Sequence, residues 1–149
     1  MTTPVLRIEK RINAEPARLF RAWLEAKDFT RWFFSGVQLG EVNLDPRPGG
    51  KFRIEMVVKG RIEPHEGEYH TIEEHSKIVF TWRSFATGGR DTLVTILFAA
   101  LPVDERSKKP STLITLIHER LQDEAAIKGH NTGWSNILDG LEKWIGYSD

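Results

Sequence analysis

Five histidines, His65, His70, His75, His118 and His130, are the side chains in this sequence best suited to chemistry near neutral pH. Imidazoles ligate metals, take up protons and hold ligands by hydrogen bonds. His65, His70 and His75 are each five apart, and an odd spacing along a strand sends neighbours to opposite faces, so they do not converge on one ion. His118 closes one predicted element and His130 stands near the start of the next, so these two can meet. No acidic residue is placed with them as a third ligand, and neither a metal nor any other cofactor is expected. The pair suits polar contacts in an apolar cavity or a satisfied structural role. The catalytic alternative is that His118 or His130 acts as general base on a bound carbonyl compound.

Other chemistries find no residues. The chain has no cysteine, which removes thiolate nucleophiles, disulfides and zinc–thiolate sites. It has no nucleophile elbow, no HExxH and no glycine-rich loop opening a helix; Gly49-Gly50 and Gly88-Gly89 fall in predicted hairpin turns. No catalytic residue is assigned. Lys plus Arg and Asp plus Glu number 21 each, a balance that gives no electrostatic reason for nucleic acid or an anionic membrane as partner. No apolar run is long enough to span a bilayer, and "MTTPVLRIEKRINAEP" lacks the apolar centre of a signal peptide, so a cytoplasmic location is expected.

The elements that must position these residues follow from periodicity. "VLRIEKRI" alternates as a half-buried strand. "NAEPARLFRAWLEA" reads as a helix, with Asn13 available as a cap and Pro16 in the first turn, and "DFTRWFF" as a second short helical piece. About six strands follow, among them "GKFRIEMVV", "GEYHTIEEH", "KIVFTWRSF" and "STLITLIHERL", joined by turns such as "PRPGG" and "ATGGR". Period-2 reasoning points Phe52, Ile54 and Met56, Tyr69 and Thr71, Ile78, Phe80 and Trp82, and Ile114, Leu116 and His118 inward. The chain ends in one long helix, "KGHNTGWSNILDGLEKWIGY", whose stripe runs through Ile127, Asn131, Trp134, Leu138, Leu141 and Ile145. The 149 residues therefore predict one α+β domain, with a curved antiparallel sheet covered by the C-terminal helix.

Gly129, Gly133 and Gly140 interrupt that helix on a neighbouring strip, each at a cost of about 1 kcal/mol relative to alanine. Two readings stand: the glycines let the backbone approach the sheet, or they leave space for a ligand.

In order along the chain, "PARLFRAW" with Trp32-Phe33 after it, "DPRPGGKFR", "GEYHTI", "IVFTW", "TLITLIH" and "HNTGWSNILDGL" resemble one family. It comprises proteins similar to the C-terminal domain of heat-shock protein 90 ATPase activators, in the SRPBCC (START-like) superfamily. The resemblance implies the helix-grip fold, with two short helices after the first strand and a cavity between sheet and C-terminal helix. Superfamily relatives bind lipids, sterols, polyketides and plant hormones, and a few catalyse cyclisation or condensation. The family supplies no catalytic residues to transfer. Where relatives often show two tryptophans and then a proline, this chain has Trp32-Phe33-Phe34-Ser35, so a differently shaped entrance is expected. Eukaryotic co-chaperones also carry an N-terminal domain not seen in this sequence.

The expected function is to hold an apolar, aromatic or lipid-like small molecule between the sheet and the last helix. The expected lining is Trp32, Phe33, Phe52, Met56, Tyr69, Phe80, Trp82, His118, His130, Trp134 and Ile137. A co-chaperone-like domain engaging a heat-shock protein is one alternative, and the histidine-based cavity enzyme is the other. Expected partners are a small apolar ligand and, in the second reading, a chaperone; the chain is expected to be a monomer or homodimer.

Overall fold

A computed structural model describes residues 4–34 and 36–148. Strand β1 (Leu6–Ile12) leads into helices α1 (Pro16–Leu24) and α2 (Ala26–Trp32), followed by β2 (Gln38–Leu44), β3 (Lys51–Val58), β4 (Arg61–Glu73), β5 (Lys77–Trp82), β6 (Thr92–Ala100) and β7 (Thr112–Glu119). Helix α3 (Glu124–Ser148) closes the chain. The strands form one antiparallel seven-stranded sheet in the order β1-β7-β6-β5-β4-β3-β2. Its concave face holds α3, which is the helix-grip fold.

Alternation sets the inner face. Register pairs Val94 with His118, Ile96 with Leu116 and Phe98 with Ile114, and all six are buried. Phe80 pairs with Val94 on one side and Tyr69 on the other, which extends the same layer across β5 and β4. A side chain of this size contributes about 1.5–3 kcal/mol when fully buried. From α3 the layer receives Trp134, Ile137, Leu138, Leu141 and Ile145, and from α1 and α2 Leu19, Trp23, Phe29 and Trp32. On the outside, Lys10 Nζ of β1 lies 2.9 Å from Asp139 and 3.1 Å from Glu142 of α3.

Four local expectations are corrected. Helix α1 starts at Pro16 with Glu15 in the cap position and no side-chain cap, so Asn13 has no capping role. Strand β4 begins at Arg61, six residues before the predicted Gly67, and pairs with all of β3. Its pairing with β5 slips by one residue between Tyr69 and Thr71, so Tyr69 faces the core opposite Phe80 while Thr71 is turned to Val79 on the outer face. Helix α3 begins at Glu124, where Asp123 Oδ1 accepts the Ala126 N–H at 2.8 Å, and Asn131 is exposed while His130 takes the buried position.

Gly67 of β4 is a true close approach. A Cβ there would meet the Thr81 carbonyl oxygen and the Phe52 ring. The "PRPGG" turn docks on the same strand: Gly49 N–H donates to the Tyr69 carbonyl at 2.7 Å, and Tyr69 N–H to that of Gly50 at 2.8 Å.

Candidate functional site

Strands β5, β6 and β7 and helix α3 bring three side chains and one backbone carbonyl into one hydrogen-bonded row. The Trp134 indole can only donate, and its Nε1–H lies 3.0 Å from His118 Nδ1, so that nitrogen carries a lone pair. The Thr92 hydroxyl donates to the Trp82 carbonyl at 2.6 Å. Its oxygen is therefore the acceptor for His118 Nε2–H at 2.7 Å. Each step forces the next, and His118 is fixed as the neutral Nε2–H tautomer with both nitrogens engaged. It is fully buried. Burial first, and then the neighbouring His130, push its pKa down to about 3.

His130 stands edge-on to His118, with ring centroids 4.9 Å apart. Its Nδ1 lies 2.8 Å from the Ala126 carbonyl oxygen, which only accepts, so Nδ1 bears the proton. Nε2 is left with a lone pair that accepts no hydrogen bond from the described residues. Burial lowers its pKa from the ordinary histidine value, partly offset by the Ala126 carbonyl.

His130, but not His118, borders an open cleft of about 520 Å³. One wall is the first three turns of α3, with Ala126, Gly129, His130 and Gly133; the other is the 3₁₀ turn Phe85–Thr87. Gln122 Nε2 ties the approach to α3 onto that turn through the Ala86 carbonyl at 3.1 Å. Trp82 and Trp134 form the floor, with centroids 5.0 Å apart. His65 stands 5.2 Å from Trp82 and 5.0 Å from Phe34, and its buried Nδ1 has no partner within hydrogen-bond geometry. Desolvation lowers its pKa, with the nearby carbonyls of Ile54 and Glu63 acting in the opposite sense.

A Cβ placed on Gly129 or Gly133 would touch nothing within 4 Å. Close approach to the sheet therefore does not account for these two glycines; they leave open space along the cleft wall. Farther inside, between α1–α2 and the sheet, the remaining void is only about 20 Å³, ringed by Trp23, Phe29, Phe33, Phe52, Tyr69, Phe80 and Trp82. That is room for roughly one water molecule. Trp23 lines this void, and its Nε1–H is buried without a partner.

Residues 13–146 match the family described as Activator of Hsp90 ATPase homolog 1-like protein. The chain belongs to this family. Among solved structures, a protein of Chromobacterium violaceum superposes with a TM-score of 0.79 at 23% identity, covering 94% of this chain and 95% of that one. A protein of Rhizobium leguminosarum gives 0.76 at 24% identity, over 98% and 96% of the two chains. CalU16 from Micromonospora echinospora gives 0.69 at 21% identity, over 95% of this chain and 75% of its own. At such identities the likeness speaks for the fold. No curated protein sequence matches the chain.

Within this family fold the residues named from sequence fall into four places. Phe33, Phe52, Tyr69, Phe80 and Trp82 surround the small interior void. His130, Trp134 and Ile137, again with Trp82, line the open cleft. Met56 lines an outer groove with Ile62 and Phe85. Trp32 is fully buried and donates to the Ala22 carbonyl at 3.0 Å, while His118 lies sealed behind Trp134. The sequence reading left out His65, Phe34 and Phe85. The first was accessible in principle: it precedes Gly67 and Tyr69 by two and four residues, and period 2 puts all three on one face. Among the described residues no helix is long and apolar enough to cross a membrane, and no group of three or more His, Asp or Glu could hold a metal ion.

Proposed function

We propose that this protein binds a small apolar or aromatic molecule in the cleft between the first half of α3 and the 3₁₀ turn. The observation that carries the reading is a helix wall cut back at Gly129 and Gly133 above a floor of two tryptophans. An opening of about 520 Å³ lies within the range of small-molecule sites, roughly 300–1,000 Å³. Helical glycine costs stability, so a glycine wall with nothing pressing on it has its rationale in the space it leaves.

The test is a panel of aromatic metabolites and fatty acids read by tryptophan fluorescence, in the wild type and in Gly133→Leu. A Cβ at position 133 meets nothing within 4 Å and the rest of the leucine enters the cleft, so the variant should fold and lose binding by at least about tenfold. Equal binding in the variant, or no response to any panel member, refutes the proposal. The family description supports a second reading, contact with a heat-shock chaperone. A chaperone ATPase rate unchanged by saturating protein would end it.

A further inference from the structure

The polar lining of the cleft carries no fixed cation: besides His65, His130 and Asp123 it holds Ser84, whose hydroxyl oxygen accepts the Ala86 N–H, and Gln122, whose amide donates to the Ala86 carbonyl. The tautomer of His130 is locked by its bond to the Ala126 carbonyl, which leaves Nε2 as an unoccupied acceptor on a side chain that is only 9% exposed. Among the described residues no lysine or arginine lines the cleft. The one carboxylate there, Asp123, is itself an anion at the rim and already accepts the Ala126 N–H. His118 offers nothing further, because its two nitrogens are bonded to Trp134 and Thr92. A ligand carboxylate would thus meet a lone pair and a second negative charge, with no cation to replace the water it gives up. A bare hydrocarbon would bury His130 Nε2 unpaired, which is also unfavourable. A neutral molecule bearing one O–H or N–H satisfies the site.

We infer that the cleft selects neutral aromatic molecules carrying a hydrogen-bond donor, received by His130 Nε2, over their anionic and purely hydrocarbon analogues. Trp82 and Trp134 supply the apolar contact for the ring system. His65, also 9% exposed, lines the same space, but its unpartnered Nδ1 is buried and offers the ligand nothing. This rests on the cleft being a binding site, and the experiment separates the two claims.

Naphthol, methylnaphthalene and naphthoate have nearly one shape and differ in the group presented to His130. Titrated into the intact protein near neutral pH, naphthol should bind about tenfold more tightly than either of the others, the factor expected for one buried hydrogen bond. In His130→Phe, naphthol and methylnaphthalene should bind equally. Ring-nitrogen NMR gives a readout that does not depend on the variant folding: His130 should be protonated at Nδ1 in the free protein, and its Nε2 signal should move with naphthol but not with methylnaphthalene. Methylnaphthalene or naphthoate binding as tightly as naphthol overturns donor selection while leaving a binding cleft in place. A proton on Nε2 in the free protein overturns it as well. If none of the three binds, this inference fails together with the reading it rests on.

Discussion

His118 shows what one residue can tell about a site. Its position at the end of β7, facing α3, was legible from period 2, and its meeting with His130 followed from chain order. Its tautomer was not, because that depends on Trp134 and Thr92, which arrive from two other elements. The bonding has a consequence for acid stability. The folded pKa of about 3 lies below the ordinary value of 6.5, so between these the unfolded chain binds the extra proton. The stability contributed by neutral His118 is complete above pH 6.5 and is lost progressively as pH falls toward 3. His65 and His130 are shifted in the same direction and steepen the loss. Glutamine at position 118 can accept from the indole and donate to Thr92 without titrating. In His118→Gln the fall in unfolding free energy below pH 6.5 should be shallower than in wild type by up to one proton, about 1.4 kcal/mol per pH unit. Denaturant titrations at several pH values check this; parallel slopes would contradict it.

His65 was missed for a physical reason. Its segment, "RIEPHEGE", lacks alternating apolar residues and contains Pro64, and both features argue against a strand. Pairing with β3 overrides that local signal, as Pro64 sits opposite Glu55 and His65 opposite Ile54. The outcome is a polar ring on the inner face, in phase with Tyr69 but in a stretch whose local composition does not read as strand.

At the scale of elements the glycines of α3 and β4 make opposite demands. Gly129 and Gly133 have space around the missing side chain, whereas Gly67 has a carbonyl and a phenyl ring in that place. Gly129→Ala should stabilise the protein by about 1 kcal/mol, the helix-propensity difference, since the added methyl meets nothing. Gly67→Ala should destabilise it by about 1–3 kcal/mol, because Phe52 and the β5 backbone must shift. Chemical denaturation of the two variants checks both signs. A destabilised Gly129→Ala would mean that the α3 wall is closer to its neighbours than described. The sequence pattern identified the helix and its interruptions, but interior and exterior glycines read alike until the neighbouring strands are in place.

For the whole molecule, the curved antiparallel sheet and the inward face of most strands followed from alternation, whereas the strand order and the slip between Tyr69 and Thr71 did not. Nor did the distribution of empty space, because it depends on the combined volumes of side chains from nearly every element. The expected cavity between sheet and helix is divided by Trp82: about 20 Å³ remains inside and about 520 Å³ lies open at the α3 end. Five of the residues named from sequence face the inner space. A ligand held only by the folded state at about one hundred times its Kd adds roughly 2.7 kcal/mol to stability. The best binder from the panel should therefore raise Tm clearly in the wild type and leave Gly133→Leu unmoved. An equal rise in both would place the ligand elsewhere on the protein.

The two indoles of the cleft floor, with centroids 5.0 Å apart and planes inclined by 51°, are close enough for their electronic transitions to mix. Such a pair behaves as one chiral chromophore, so the far-ultraviolet dichroism will carry an exciton band superimposed on the backbone signal. Phenylalanine at either position should abolish that band. A guest settling on the floor should perturb it, giving the protein an intrinsic optical gauge of occupancy that requires no attached label.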